Sequence, residues 1–214
     1  MKLSNRLKTI ADMVKTKSVI DVGCDHGLLD VYLAKEKHIS CIASDISENA
    51  LNQAKENIHK YQVQSLVKTI CTNGLQGIKV SKEDTVILSG MGTHTIIDIL
   101  NKRDDIKYCI ISAHTDVPYL RRWMTSHGYM IIAEQIVEEK NILYIVISFE
   151  KGQASYQEID YVVGPYLKYN QTYLKQLLAQ EKTLLKKIPI THQVKRQEKE
   201  KLISMLLETI KKAN

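Results

Sequence analysis

The chain has 214 residues, of which 44% are hydrophobic and 25% are charged. This length allows one good-sized domain plus an extension, and the composition is that of an ordinary globular protein rather than a disordered one. No run of about 18 apolar residues is present, which excludes a membrane-spanning helix. The N-terminal segment also lacks the apolar core of a signal peptide, so we expect a cytoplasmic protein.

The net charge of +6 is distributed unevenly along the chain. Residues 1–150 contain 18 basic and 18 acidic side chains, whereas residues 151–214 contain 12 basic and 6 acidic ones. A basic extension on a neutral domain favours a polyanionic partner, but a solvated lysine-rich helical surface would give the same count. Charge alone leaves both interpretations open.

Strand-like and helix-like segments alternate from residue 18 to residue 100. The pattern predicts strands at 18–22, 39–44, 66–71 and 85–89. It predicts helices at 28–35, from the capping residue Ser47 to about Tyr61, and at 95–100.

The next part of the chain predicts a strand at 108–112 and a helix from Asp116 to His127. Strands at 130–136 and 142–149 follow, joined by a turn at 138–141. On the helix, we expect Trp123 to pack in the core and Arg121 and Arg122 to lie on a solvated face.

Repeated strand–helix alternation predicts a parallel sheet with helices on both faces, and the closing hairpin adds an antiparallel strand. This α/β architecture resembles the doubly wound, Rossmann-like fold of class I methyltransferases, whereas a dinucleotide dehydrogenase ends with a sixth parallel strand. Leucines then recur at helical spacing on both sides of Pro189, which predicts a helical hairpin or antiparallel coiled coil. We therefore expect two domains, at 1–152 and 153–214.

The cysteines and histidines give no sign of a metal site. The four cysteines are widely spaced and include no C-x-x-C pair, and the histidines lack the spacing of metal ligands. We predict no bound metal and no disulfides. Each cysteine is expected to be a small buried residue: Cys24, Cys41, Cys71 and Cys109.

The strongest local motif, Asp21-Val22-Gly23-Cys24-Asp25-His26-Gly27, follows the first predicted strand. Gly23 and Gly27 would allow a sharp turn and the close approach of a nucleotide. The spacing is not G-x-G-x-x-G, which disfavours a pyrophosphate site. Asp21 at the strand end suits a positively charged ligand group, such as the amino group of a bound methionine.

Further candidate residues follow the next three strands. Asp45, with its neighbour Ile46, closes the second strand, where a carboxylate can accept hydrogen bonds from ribose hydroxyls. An N-cap is the alternative for Asp45, but Ser47 already serves there. Asn73-Gly74 could read an adenine edge, and Gly90-Met91 follows the fourth strand. Because open α/β sheets bind ligands at the carboxyl ends of their strands, these segments together predict a nucleotide site.

Asp25 and His26 lie just beyond the glycine turn. A polar pair at the mouth of the expected pocket could hold or activate a nucleophile, so we take both as candidate catalytic residues. His26 could instead be a simple residue at the start of a helix.

Several motifs are shared with one known family. They include Leu3-Ser4-Asn5-Arg6-Leu7, the Asp21–His26 turn, Ser89-Gly90-Met91-Gly92, Leu120-Arg121-Arg122-Trp123, Glu138-Glu139 before Tyr144, and Val163-Gly164-Pro165-Tyr166-Leu167. Over nearly its whole length the chain resembles the bacterial tRNA (adenine-N1)-methyltransferases called TrmK. It departs from the family pattern at Asn73, at Thr93 and at Ser112-Ala113-His114.

The resemblance implies S-adenosyl-L-methionine as the cofactor and N1 of adenine 22 in tRNA as the methyl acceptor. It also implies a helical extension that helps to hold tRNA. We expect substrate contacts from Arg6, Gly92, His114, Lys175, Lys182, Lys186 and Lys195, in a protein that acts as a monomer.

Three other functions stay open on the residues alone. The chain could methylate another RNA, a small molecule or a protein, although its basic extension argues against the last two. It could be a nucleotide-binding module without catalysis. An NAD-dependent oxidoreductase is weakened by the missing G-x-G-x-x-G.

Overall fold

The structure, a computed structural model, describes residues 1–212 and divides the chain into two compact units, Met1–Ala154 and Ser155–Asn214. The division lies two residues beyond the expected domain boundary. None of the helices in residues 1–212 combines the length and apolar character needed to cross a bilayer.

The first unit contains twelve elements in chain order. They are α1 (Asn5–Met13), β1 (Ser18–Val22), α2 (Leu28–Lys37), β2 (Ser40–Asp45), α3 (Glu48–Lys60), β3 (Val67–Cys71), β4 (Asp84–Ser89), α4 (Thr93–Leu100), β5 (Tyr108–Ser112), α5 (Val117–Ser126), β6 (Tyr129–Glu139) and β7 (Ile142–Lys151).

These strands form one seven-stranded sheet in the order β3-β2-β1-β4-β5-β7-β6. The first five are parallel, and β7 runs antiparallel between β5 and β6. The predicted Rossmann-like methyltransferase fold is therefore confirmed. Because the chain order reverses between β1 and β4, the loops that follow these two strands flank a crevice, the usual ligand position in open α/β sheets.

Hydrogen bonds between near neighbours in the sequence explain several predicted boundaries. The Ser47 hydroxyl accepts a hydrogen bond from the Ala50 N–H and caps α3, as predicted. Asp116 caps α5 in the same way through the N–H of Tyr119. The predicted hairpin turn at 138–141 was too long: β6 continues through Glu139, and only Lys140 and Asn141 form the turn. Both have positive φ, as type I′ hairpins require.

Three expectations about side chains in this unit are wrong. Arg121 is fully buried, because its guanidinium Nε donates to the buried carboxylate of Glu134 on β6 over 2.8 Å. Trp123 is half-buried rather than in the core, and its ring stacks on His127 at 3.9 Å between centroids. Cys71, at the end of β3, is exposed, whereas the other three cysteines are buried.

The second unit contains the short helix α6 (Glu158–Val162), which was not predicted, and the long helices α7 (Gln171–Lys187) and α8 (Gln193–Lys212). The long helices contact each other as the predicted hairpin. Lys199 of α8 forms a 2.5 Å ion pair with the largely buried Glu181 of α7. The Arg196 guanidinium donates to the carbonyls of Leu185 and Ile188, which satisfies the free carbonyl groups at the end of α7.

Candidate functional site

A cavity of about 320 Å³ lies at the carboxyl ends of β1 and β4. The loop after β1 contributes residues 23–26, and the end of β4 contributes Ser89 and the following Gly90. Arg6 reaches it from α1, and His114 from the loop after β5. Seven of the predicted site residues are thus brought together: Arg6, Asp21, Gly23, Asp25, His26, Gly90 and His114.

Two glycines form the floor of the cavity. Gly23 and Gly90 have φ values of +76° and +83°, which favour glycine over every other residue. A side chain at Gly23 would meet the thioether of Met91 at 3.7 Å, and one at Gly90 would meet the Arg6 guanidinium at 3.8 Å. The bare backbone at these two positions leaves room for a ligand between the strand ends.

Asp21 is a buried carboxyl group on the wall of this cavity. Burial raises its pKa to about 7, and the neighbouring carboxylate of Asp45 acts in the same direction. The fully buried Asp30 of α2 lies next to it, and burial together with Asp21 raises the pKa of Asp30 as well. Two carboxyl groups this close share protons, so Asp30 holds one at neutral pH while Asp21 is available to a cationic ligand.

Asp45 is linked to the glycine turn through its side chain. One carboxylate oxygen accepts the backbone N–H of Asp25 over 3.1 Å, and the other accepts the N–H of Ser47 over 2.8 Å. The carboxylate therefore fixes the turn locally. Each oxygen retains a second lone pair that a ligand hydroxyl can use.

Asp25 has a backbone conformation that is uncommon outside glycine, with φ of +51°. Asp and Asn tolerate this region better than other side chains, and such residues cluster at functional sites. Its carboxylate is 72% exposed and lies 3.5 Å from Nε2 of His26. His26 Nδ1 is buried and has no hydrogen-bond partner among residues 1–212.

Arg6 holds the opposite side of the cavity. Its Nη1 donates to the Ser89 hydroxyl over 3.2 Å and lies 3.3 Å from Nε2 of His114. Because a guanidinium can only donate, His114 Nε2 must be the acceptor, and the imidazole is neutral. Partial burial and the Arg6 charge lower the pKa of His114, which favours the same neutral form.

Four more of the predicted cofactor residues do not line the 320 Å³ cavity. Met91 packs over Gly23, and its carbonyl accepts the N–H of His114. Ile46 follows Asp45 and is 70% exposed. Asn73 and Gly74 line a separate cavity of about 540 Å³ with residues of α4, and a side chain at Gly74 would meet Ile99 at 3.0 Å.

Two predicted glycines have local structural contacts. A side chain at Gly27 would approach the Ala54 side chain of α3 at 3.0 Å, so this glycine permits close packing of the turn on α3. Gly92 precedes the first residue of α4, where a side chain would meet the Thr115 hydroxyl at 3.4 Å.

The four predicted lysines of the second unit are all exposed: Lys175, Lys182 and Lys186 on α7, and Lys195 on α8. The three on α7 are spaced by seven and four residues, so they share one face of that helix.

Sequence reasoning missed several residues of the cavity. Ser89 was seen only as part of a shared motif, although its position as the last residue of β4 could have identified it. Leu7, Leu28 and Leu29 also line the cavity. Asp30 does not line the cavity but lies next to Asp21, and it was also missed, although it is an acidic residue between the apolar residues Leu29 and Val31 in the first turn of α2. A metal site is not expected here, and residues 1–212 contain no group of three or more potential ligands.

Comparison with known proteins agrees with this geometry. A family model described as a methyltransferase domain matches residues 3–147. A tRNA (adenine(22)-N(1))-methyltransferase from Bacillus subtilis is 30% identical over 82% of this chain and 79% of its own length.

Solved structures give the same result over the whole chain. The fold is similar to M. capricolum TrmK in complex with S-adenosyl-homocysteine, with a TM-score of 0.87, 27% identity and complete coverage of both chains. It is also similar to the B. subtilis m1A22 tRNA methyltransferase TrmK, with a TM-score of 0.83 and 25% identity over 98% of this chain and 99% of that one. The chain therefore belongs to the methyltransferase-domain family, and within it to the TrmK group of tRNA (adenine-N1)-methyltransferases.

Proposed function

We propose that this protein transfers a methyl group from S-adenosylmethionine to N1 of adenine 22 in tRNA. The single observation that carries the proposal is the cavity at the β1/β4 switch point, where Gly23, Gly90 and the buried Asp21 meet and where Asp45 fixes the adjoining turn through the Asp25 N–H. The TrmK relatives, one of which binds S-adenosyl-homocysteine, support the substrate and the cofactor. In this proposal residues 1–152 bind the cofactor, and residues 153–214 assist with tRNA.

The residues of the cavity fit this cofactor. Gly23 and Gly90 leave open the space that side chains would fill, and the Asp21 carboxylate complements the ammonium group of the methionine part. Asp45 offers acceptors for ribose hydroxyls. The volume of about 320 Å³ lies within the usual range for small-molecule pockets.

Methyl transfer requires the protein mainly to align the two reactants and to stabilise the positive charge that forms on the adenine. S-adenosylmethionine would supply a methyl group on a positively charged sulfur. The lone pair of adenine N1 would form the new N–C bond as the S–C bond breaks, so that S-adenosylhomocysteine leaves and the positive charge passes to the adenine ring. Asp25 then stabilises the positive charge that develops on the adenine ring, and its exposed carboxylate is free to do so. Arg6 and His114 orient the base, and His114 stays neutral, so it does not repel the cationic product.

The protein is proposed to act as a monomer in the cytoplasm, where its tRNA substrate is found. Light scattering at micromolar concentration, with and without tRNA, tests the oligomeric state: a mass of about 49 kDa for the free protein, twice the 24.5 kDa of one chain, would contradict it.

The decisive experiment incubates the protein with labelled S-adenosylmethionine and either bulk tRNA or total protein, followed by mass spectrometry of the nucleosides. We expect N1-methyladenosine in the tRNA and no label in protein. A tRNA with guanine at position 22 is the matched control and should stay unmodified. Label only in protein, or none in either, would overturn the proposal.

Replacement of Asp45 by Ala should weaken cofactor binding by about 1–3 kcal/mol, because the ribose hydroxyls lose a charged acceptor. Isothermal titration with S-adenosylmethionine measures the change. Asp84→Ala is the control: Asp84 is the first residue of β4 and lies at the amino end of that strand, away from the cavity, so this variant should bind the cofactor normally. Unchanged affinity in folded Asp45→Ala would remove this residue from the site.

Cofactor affinity should also fall as the pH drops below about 7. The folded protein holds Asp21 with a raised pKa of about 7, and the ammonium of the cofactor favours its ionised form. Below that pH, each further decrease of one pH unit should therefore lower the affinity for S-adenosylmethionine about tenfold. Binding should release up to one proton.

Titrations between pH 5.5 and 7.5, in buffers of different ionisation enthalpy, measure both quantities. Asp21→Asn should bind more weakly but lose the pH dependence. Affinity that stays flat over this interval in the wild type would show that Asp21 is not the group that meets the ammonium.

A further inference from the structure

A smaller cavity of about 250 Å³ adjoins the tip of the β6–β7 hairpin. Two large apolar side chains at the tip, Ile142 and Leu143, are 52% and 40% exposed. Ala113, His114 and Tyr144 complete its lining. We call these five residues the apolar cleft. Its volume is below the roughly 300 Å³ at which pockets for whole drug-sized ligands begin, so it suits one small planar group.

The aromatic part of the apolar cleft is held firmly in place. The Arg6 guanidinium lies over the Tyr144 ring at 5.0 Å from its centroid, and the rings of Tyr144 and His114 are 5.9 Å apart. Arg6 also fixes His114 through Nε2, and its backbone N–H donates to the Glu139 carboxylate next to the hairpin turn. Through Arg6, α1 thus contacts both the hairpin tip and the loop after β5.

The electrostatic character of the apolar cleft selects its ligand. His114 is neutral, and the other four lining side chains carry no charge, so the lining itself offers no partner to a phosphate or a carboxylate. The adjacent guanidinium of Arg6 is already engaged by Ser89, His114 and the Tyr144 ring. A neutral planar heterocycle, by contrast, gains from aromatic and apolar surfaces, which stack on any nucleobase.

The position of the apolar cleft indicates which base it takes. His114 lines both this cleft and the cofactor cavity, so the two are adjacent. A base held on the cleft lies next to the site where methyl transfer is proposed. Because N1 is on the Watson–Crick edge of adenine, the base must be unpaired there, and its exposed faces need a new stacking partner.

We propose that the apolar cleft stacks the unpaired target adenine of tRNA, with Tyr144 and Leu143 as the main contacts, and directs its N1 towards the cofactor cavity. The inference rests on the proposed function, since it concerns the base that this site would methylate. Tyr144 is accordingly a substrate-positioning residue in addition to the predicted Arg6 and His114.

Replacement of Tyr144 by Ala should lower kcat/KM for tRNA by about 10- to 100-fold, while the affinity for S-adenosylmethionine changes less than twofold. Tyr144→Phe keeps the ring and should retain most of the activity. Tyr61→Ala is the matched control, because Tyr61 is also half-buried, packs on the same core and carries a lysine over its ring. If Tyr144→Ala does not fold, Leu143→Ala at the exposed tip gives the same test.

A binding cycle separates this inference from the proposed function. Affinities are measured for wild type and Tyr144→Ala with a tRNA transcript carrying adenine 22 and with the same transcript abasic at that position. We expect the wild type to lose affinity for the abasic transcript and Tyr144→Ala to bind both equally. Equal discrimination by both proteins would overturn the apolar cleft as the base site, even if methylation occurs. Failure to form N1-methyladenosine would instead overturn the proposed function. The binding cycle would still show whether the apolar cleft binds the base at position 22.

Discussion

Asp25→Asn should lower the turnover of tRNA methylation by about 10² to 10³-fold, the usual cost of removing one group that stabilises transition-state charge. The substitution keeps the shape of the side chain and removes only its charge. Asn also tolerates the positive φ of this position, so the glycine turn and its hydrogen bond to Asp45 should persist. Saturation kinetics with tRNA measure kcat, and titration measures the affinity for S-adenosylmethionine, which should stay within about threefold.

Asp116→Asn provides the control for that experiment. Asp116 is also exposed and also has a positive φ, and Asn retains its capping of α5. It should leave kcat near the wild-type value. If Asp25→Asn behaves like Asp116→Asn, the carboxylate of Asp25 has no part in the chemistry, and its unusual backbone serves only to shape the turn.

The sequence predicted site residues best where a residue's position depends only on the end of its own strand. Asp21 and Asp45 lie at the ends of β1 and β2 and Gly90 follows β4, and parallel strands bring their carboxyl ends to the same edge of the sheet. The fold class followed from the same alternation, because the strands are largely apolar and helices such as α3 and α5 are capped by a local side chain. These features depend on short stretches of chain.

Features that depend on contacts between distant segments could not be predicted. Arg121 carried the pattern of a solvated residue, and its burial becomes clear from the buried carboxylate of Glu134 on β6, 13 residues away along the chain. Asn73 follows a strand as Asp45 does, but side chains of α4 lie around it and give it a separate cavity. The apolar cleft combines the loop after β5 with a hairpin tip, and Arg6 of α1 contacts both; no spacing in the sequence links these segments.

Neutralising the lysine face of α7 should weaken tRNA binding strongly. Lys175, Lys182 and Lys186 are exposed on one side of this helix, and we propose that they contact phosphates. Replacing all three with Gln should reduce the slope of log affinity against log salt by about 2–3, because each phosphate contact releases a counterion. At low salt, the affinity itself should fall at least about tenfold, whereas titration with S-adenosylmethionine should show no change.

The triple replacement of Lys68, Lys79 and Lys82 by Gln is the control with the same loss of charge. These lysines are exposed in the first unit, on β3 and in the loop before β4. If the attraction to tRNA comes only from the net charge, both triple variants should lose the same slope. A larger loss for the α7 variant assigns the phosphate contacts to the helical hairpin. An equal loss of slope would contradict phosphate contacts by the lysines of α7, and a wild-type slope in both variants would place the phosphate contacts on other basic residues.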